Sequence, residues 1–438
     1  MTELLLIIIG IFLLFMLFIA LKDGALNPLF LFLVFCFIGV WVRAIQLVSE
    51  TGYELVLAPW VLERQLTNSV NESLVELFIA IVIVFLSYYI CIDKKVFRGR
   101  VNIFRRLQSE ILSKKQSYVL VVIGSSTFFV FIGLMSYFVG GLSEAINALQ
   151  SREVSILAGR GYVAILSDVS IVATLLLAFN YFRTKDSKNR STDSGTVFLI
   201  MSIFSLFILI IMGGRGAFLQ FLFMIGIIYY TCKGYRVKVS WLFVWVIIVS
   251  ICIITVGLAS RNSAQTKQPL NKSLLEVSEN IVTTLSAPFA LIDHYMLAKV
   301  YAEERGFDYG AQYTSYVLRP IPRGLWNEKP IPLALKMRQE FWGDIRGGIP
   351  PTIFGEFYIS YGLFGLYFGC VVFGVALGYT GRLFKSSFRD TRQSVLYALL
   401  VVTVVFSTVR SGLEISFVKI IIYMVILASL NLILKIRI

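Results

Sequence analysis

The chain has 438 residues, of which 57% are hydrophobic and only 15% are charged, and its mean hydropathy is +0.80. So much apolar surface cannot be buried in a water-soluble core, and this composition excludes an ordinary soluble domain. The formal net charge is +14, but the basic residues concentrate in short loops between apolar segments, which argues against a nucleic-acid partner. The composition therefore predicts a polytopic membrane protein.

Eleven apolar segments are candidates for membrane-spanning helices, which need roughly 20 residues each. In chain order they are Leu4–Leu21, Pro28–Val42, Leu74–Ile92, Tyr118–Val139, Tyr162–Phe182, Thr196–Met212, Ala217–Thr231, Ser240–Ala259, Phe357–Tyr379, Val395–Thr408 and Ile415–Leu434. A twelfth crossing would arise if the segment GYELVLAPWVL (52–62) crossed instead of lying at the surface. The alternation of apolar and polar residues that marks the strands of a membrane barrel is absent, so the sequence predicts an all-α bundle.

Clusters of Lys and Arg fall on every second loop between these segments, as in the stretches 93–117, 183–190 and 382–392. Cytoplasmic loops carry such an excess of basic residues. The pattern predicts an external amino terminus and a cytoplasmic carboxyl terminus. The predicted organisation is an amino-terminal bundle of about eight spans (1–259), a large external loop with short helices (260–356), and about three carboxyl-terminal spans (357–438).

Known cofactor motifs are absent from the sequence. All five cysteines fall within or at the ends of predicted spans, so none is placed for an external disulfide or a spaced metal site. No Gly-rich phosphate loop, CxxC pair or HExxH motif occurs. The sequence therefore predicts neither a metal nor an organic cofactor.

The stretch 319–378 brings polar chemistry directly to the start of an apolar helix. Prolines interrupt its first part and forbid regular helix there, because proline lacks an N–H and restricts the residue before it. Arginines and tryptophans stand between the prolines: Arg319, Arg323, Arg346, Trp326 and Trp342. This mixture suits an anionic, sugar-bearing ligand. Glu356 begins the helix that follows, where the helix dipole would keep a carboxylate ionised; simple capping is the structural alternative.

Two further arginines are predicted on the external side. Arg215 lies in the tight turn GGRG between two spans, where basic residues are disfavoured and glycines permit close approach of a ligand. A side chain that merely snorkels to the surface is the alternative. Arg410 lies in the turn TVRSGLEISF, four residues before Glu414, and the two could simply pair.

Two titratable residues stand out within apolar or helical segments. Asp168 lies inside a predicted span, where a carboxylate is costly and suggests a functional site, although hydration or pairing with Arg160 would also explain it. His294 is the only histidine. It lies on a predicted helix within 274–306 that ends at Arg305 and Gly306, and a histidine there is more often packed or solvated than catalytic. The rest of the large loop is predicted to lack regular structure.

The run IPRGLWNEKP, followed by PPTIFGEFYISYGLFGLYFG, resembles the O-antigen polymerase family (Wzy type, oligosaccharide repeat unit polymerase) of bacterial inner membranes. The GGRG and VRSGLE turns resemble other outward arginine positions of that family. The resemblance implies a multispan fold similar to the GT-C glycosyltransferases. It implies an enzyme that joins undecaprenyl-diphosphate-linked oligosaccharides on the periplasmic face, surrounded by membrane lipids, with a separate protein that regulates chain length.

That reaction releases a diphosphate at the membrane surface, and arginine suits it because its planar fork binds phosphate oxygens and stays charged. Arg346, Arg323, Arg215 and Glu356 are therefore expected to be catalytic without a metal, and Arg319 and Arg410 to bind substrate. Glu356, His294 and Asp168 are alternative general bases. Trp326, Trp342 and Tyr358 could stack on sugar rings, although anchoring at the membrane interface explains aromatic residues equally well.

Two other functions fit a similar architecture. O-antigen ligases resemble this topology but typically show histidine followed by Asn in the large loop, whereas His294 is followed by Tyr295. A lipid-linked oligosaccharide flippase or other transporter would be expected to show paired internal repeats, and none is visible. The polymerase is the preferred prediction.

Overall fold

The protein is described by a computed structural model that covers residues 2–48, 66–93, 112–145, 162–184, 192–211, 215–233, 290–317, 330–343, 348–387 and 391–435. Every regular element in these ranges is helical, as predicted. The helices are α1 Thr2–Lys22, α2 Pro28–Val48, α3 Leu66–Asp93, α4 Lys114–Val139, α5 Tyr162–Thr184, α6 Thr192–Ile211, α7 Arg215–Lys233, α8 Leu291–Arg305, α9 Ala311–Val317, α10 Leu333–Trp342, α11 Thr352–Ser387, α12 391–411 and α13 Leu413–Lys435.

Nine helices in the described ranges are long and apolar enough to cross a membrane, which confirms a multi-pass helical membrane protein. A tenth apolar helix, Ser194–Leu209, is shorter and corresponds to the predicted span Thr196–Met212. The predicted span Ser240–Ala259 and the segment 52–62 lie outside the described residues. Ten of the eleven predicted spans thus coincide with apolar helices, nine of which are long enough to cross a membrane, and the structure leaves the eleventh untested.

Two of the spans contain a π-helical segment, Phe37–Val42 in α2 and Val402–Ser407 in α12. The ring of Phe35, two residues before the first segment, meets that of Phe406, within the second segment, edge to face with centroids 4.8 Å apart. A π-helical turn changes the direction in which the following side chains point, and such turns often occur at functional sites. Arg43 follows the first segment directly, and Arg410 follows the second by three residues.

Helix α11 is a helical hairpin, contrary to the predicted single span from Phe357. Its backbone leaves helical geometry at Tyr361 and at Gly362, which has a φ of +61°. The ring of Phe32 lies 6.4 Å from that of Phe354 and 5.6 Å from that of Phe373, so the chain must fold back between them. We call residues 352–360 the short leg and residues 363–387 the long leg.

The large loop is partly helical and partly packed into the bundle. Helix α8 ends at Arg305 with Gly306 as its cap, as predicted. The short helices α9 and α10 lie within this loop, so the expectation that the rest of the loop lacks regular structure is wrong for these two segments. Helix α10 tolerates its flanking prolines because Pro332 is the cap that precedes it and not an internal residue.

Candidate active site around Arg410 and His294

The carboxylate of Glu356 caps a helix other than its own. Glu356 lies on the short leg, is 1% exposed, and its Oε2 accepts the backbone N–H of Leu413 at 2.5 Å. Leu413 is the first residue of α13, whose amino-terminal N–H groups have no partners within the helix and whose dipole favours negative charge. The prediction that Glu356 begins its own helix is wrong, because α11 begins four residues earlier at Thr352.

The second carboxylate oxygen of Glu356 is buried and has no hydrogen-bond partner among the described residues. The Tyr316 hydroxyl lies beside this carboxylate, but its well-formed hydrogen bond goes to Gln312 Oε1 at 3.2 Å. Gln312 in turn donates through Nε2 to the Glu356 carbonyl at 3.0 Å and to Ser360 Oγ at 2.8 Å. Helix α9 is thus bonded to the short leg directly over Glu356.

Arg410 joins the two turns that the sequence singled out. Its Nη1 lies 3.1 Å from the position that a Cβ on Gly216 would occupy, so the end of the GGRG turn meets the VRSGLE turn. Gly216 adjoins Arg215, whose backbone begins α7 and whose side chain is outside the described side chains. The two turns, both predicted on the external side, are therefore in contact.

His294 belongs to the same group. It is half-buried on α8, and its carbonyl oxygen lies 3.7 Å from the Cβ position of Gly355, beside Glu356. Burial, followed by the positive charges of Arg410 and Arg43, lowers the pKa of His294 to about 4. The imidazole is therefore neutral near pH 7 and can accept a hydrogen bond or a proton. An anion bound at Arg410 would offset that positive charge and raise the pKa of His294.

Arg43 was not singled out in the sequence analysis. Its side chain is 3% exposed, and Nε donates to Asp293 Oδ2 at 2.9 Å. Nη1 of Arg43 also donates to Gln46 at 3.2 Å. Asp293 precedes His294, so the pair fixes α8 against α2 at the residue next to the imidazole.

A second polar cluster fixes the opposite side of α8 to α3. The Nζ of Lys299 lies 2.9 Å from Glu76 Oε2, and the Tyr295 hydroxyl donates to the same oxygen at 2.8 Å. Glu72 adds a longer contact to Lys299 at 3.4 Å. The ring of Tyr358 lies under Lys299, with Nζ 5.7 Å from its centroid. Tyr358, predicted to stack on sugar, is thus placed in this cluster, where an ammonium covers one face of its ring.

The remaining predicted residues lie elsewhere or are not described. Asp168 is half-buried in α5 and faces Tyr423 and Lys419 of α13; Arg160, its predicted pairing partner, lies outside the described residues. Trp342 ends α10, where the Arg338 guanidinium lies 5.1 Å from its ring. The residues outside the described ranges are Arg319, Arg323, Trp326 and Arg346.

Comparison with family models, with curated proteins and with solved structures finds no match to this chain. The functional argument therefore depends on the residues and their geometry. In the described part of the chain no three His, Cys, Asp or Glu side chains form a group that could hold a metal ion. What this part does bring together is Arg410, His294, Gly216 and the buried carboxylate of Glu356.

Proposed function

We propose that the protein polymerises oligosaccharide repeat units carried on undecaprenyl diphosphate, at the membrane face where Arg410 and His294 lie. One observation carries the proposal: four separate segments that the sequence marks, represented by Gly216, His294, Glu356 and Arg410, meet at one end of the helix bundle. The proposed location is a bacterial inner membrane, with this end facing the periplasm. A chain-length regulator is the proposed protein partner.

The reaction forms a bond between an acceptor hydroxyl oxygen and the anomeric carbon of the donor sugar. The bond from that carbon to the diphosphate breaks, and undecaprenyl diphosphate leaves with the electron pair. Arg410 is the cation best placed to stabilise the leaving group, because its guanidinium lies against Gly216 of the GGRG turn, where these two loops of the chain meet. Arg215 begins the helix that contains Gly216 and is proposed to add positive charge. The sequence-based proposal gives the same role to Arg323 and Arg346.

His294 is proposed as the base that receives the hydroxyl proton. Without substrate, burial and the two guanidinium charges keep the imidazole unprotonated. When the anionic diphosphate binds at Arg410, the pKa of His294 rises, because an opposite charge nearby favours the protonated form. The proton affinity of the His294 imidazole would then be highest when the substrate is bound.

Glu356 acts in this scheme as a positioning residue. Its Oε2 holds the first residue of α13, and the adjacent turn carries Arg410. Because the carboxylate is fully buried, it does not lie where a sugar chain could reach it in this conformation. Its role is to hold the guanidinium at a fixed position relative to His294.

The test is Arg410→Lys, since lysine keeps the charge but has no planar fork. We expect polymerisation of defined lipid-linked units by purified protein to fall by roughly 100-fold to 1000-fold, the scale for loss of a group that stabilises transition-state charge. The sequence predicts similar losses for Arg323→Lys and Arg346→Lys. The control is Arg305→Lys, because Arg305 makes an exposed pair with Glu340 that lysine can retain. Full activity of Arg410→Lys would contradict the assignment.

Deletion of the gene separates the polymerase from its rivals. A single repeat unit on lipid A would support the polymerase. Full-length chains stranded on undecaprenyl diphosphate would identify a ligase, and repeat units trapped in the cytoplasm would identify a flippase. Either of the last two results would overturn the proposal.

A further inference from the structure

Three exposed aromatic side chains form a patch where α11 folds back. Phe307, Tyr309 and Tyr361 are 41%, 71% and 47% exposed. The ring centroids of Tyr309 and Tyr361 are 6.0 Å apart, and those of Phe307 and Tyr309 are 6.4 Å apart. We call these three residues the aromatic platform.

The backbone under the platform is held in place by hydrogen bonds between two segments. The N–H groups of Asp308 and Tyr309 donate to the carbonyls of Ile359 and Ser360 at 3.0 and 3.1 Å, which the break in α11 has left without helical partners. The Tyr361 hydroxyl donates to the Tyr309 carbonyl at 2.7 Å. The platform is therefore built by tertiary contacts and is not a row of residues on one helix.

Tyr309 has a φ of +50°, in the left-handed region that bulky residues rarely adopt. Such strain persists only where the surrounding structure imposes it, and it occurs preferentially at binding and active sites. Glycine would fit this backbone without strain, yet the chain carries a large, mostly exposed aromatic ring there. A requirement for the ring itself explains this choice.

Polar groups connect the platform to the candidate active site. Asp308 is half-buried, and its Oδ1 accepts the Gly310 N–H at 2.9 Å, which leaves the carboxylate further acceptor capacity. Gln312 bonds both Ser360 and the Glu356 carbonyl. Tyr361 follows Glu356 by five positions, at the end of the short leg, which is about 7.5 Å along the helix axis.

We propose that the aromatic platform binds sugar rings of the lipid-linked substrate while its reacting end lies at Arg410 and His294. The C–H groups on one face of a pyranose ring complement the negative face of an aromatic ring, and Asp308 can accept a sugar hydroxyl. This inference rests on the proposed function, because it assigns a position to the distant sugars of the same substrate.

Anchoring at the membrane interface is the competing explanation, and the chain contains a residue that represents it. Tyr137 is 81% exposed near the end of α4. This end of α4 packs with Val163 and Ile208. It lies at the same end of the bundle as the candidate active site. Tyr137 has ordinary helical backbone, so Tyr137→Ala is a matched control for loss of an exposed tyrosine.

The decisive variant is Tyr309→Gly, which removes the ring and relieves the backbone strain, so the protein should fold at least as well as the wild type. Purified full-length protein in nanodiscs would be titrated with one probe: the repeat-unit oligosaccharide released by mild acid, which cleaves the bond between sugar and diphosphate, from the source organism's own lipid-linked repeat units. Saturation-transfer NMR would report binding. We expect Kd to rise about tenfold or more for Tyr309→Gly, with Tyr309→Phe and Tyr137→Ala unchanged.

Polymerisation kinetics then separate this inference from the proposed function. For Tyr309→Gly we expect KM for the lipid-linked unit to rise by a similar factor while kcat is kept. A wild-type Kd and KM for Tyr309→Gly would overturn the inference and leave the polymerase proposal intact. If the protein binds the oligosaccharide in a way that depends on Tyr309 but polymerises nothing, only the polymerase proposal would be overturned.

Discussion

The carboxylate of Glu356 accepts the backbone N–H of Leu413 at 2.5 Å, so the short leg of one helix caps the start of another. Gly412, between Arg410 and this contact, has a φ of +83°, and a Cβ there would lie 2.1 Å from Glu356 Oε2. Both the backbone conformation and the available space therefore require glycine. The position of the Arg410 guanidinium depends on a turn that fits around a buried carboxylate.

We expect Gly412→Ala to destabilise the protein and to abolish polymer formation. The backbone of Gly412 lies in a positive-φ, extended region that is essentially confined to glycine, and Ala there costs about 1–3 kcal/mol; displacing the carboxylate from the start of α13 costs about 0.3–1 kcal/mol more. Thermal unfolding in detergent and a gel of surface polysaccharide would measure the two effects. Gly226→Ala is the control, because a Cβ there meets no atom within 4 Å and Ala is favoured inside a helix. Equal unfolding midpoints for the two variants would contradict this interpretation.

Hydropathy and capping signals were sufficient to predict most helices. A spanning helix must satisfy its backbone internally and present apolar side chains to lipid, so its existence is a local property of the sequence. The end of α8 at Arg305 and Gly306 was predictable for the same reason. Glu356 and Arg410 were singled out because charged groups next to apolar spans are conspicuous.

The partners of these residues could not be predicted, because they come from distant parts of the chain. Nothing local distinguishes Gly362, where α11 folds back, from the other glycines of that apolar run. The π-helical segment before Arg43 has no sequence signature, so this arginine looked like an ordinary end of a span. Tertiary packing decides both features, and it places Arg43 beside Asp293 and Glu356 beside Leu413.

The orientation of the protein in the membrane can be tested by cysteine labelling. Positive-inside asymmetry predicts that cysteines placed near Lys115 and Arg389 react only from the cytoplasm, and that cysteines near Lys272 and Glu328 react from outside. Intact cells or spheroplasts treated with a membrane-impermeant maleimide provide the measurement. Labelling near Glu328 only after the inner membrane is permeabilised would contradict an external active site.

Metal dependence gives a separate test of how the leaving group is stabilised. We expect polymerisation by purified protein to persist in EDTA, because guanidinium groups are proposed to supply the charge that a divalent ion supplies in other enzymes. The measurement is product length and yield with and without chelator. Loss of activity that added magnesium or manganese restores would refute stabilisation by arginine alone.

The buried pair between Arg43 and Asp293 should behave as a unit. Arg43→Met leaves Asp293 buried without its cation, and loss of one partner of a buried pair costs about 3–5 kcal/mol. The double variant Arg43→Met with Asp293→Leu removes both charges, and we expect it to recover most of that stability, because an apolar replacement of similar volume is often neutral. Unfolding midpoints of the single and double variants form a double-mutant cycle that measures the coupling.

The exposed pair between Arg305 and Glu340 is the control for this cycle. Their side chains are 59% and 26% exposed, so loss of either partner should change the unfolding midpoint little, with little coupling. Helix α8 carries both pairs, one next to His294 and one at its far end. Strong coupling at Arg43 and weak coupling at Arg305 would show that α8 is fixed at its His294 end. Additive losses at Arg43 and Asp293 would mean that the pair does not hold α8 in place, and His294 would then need another support.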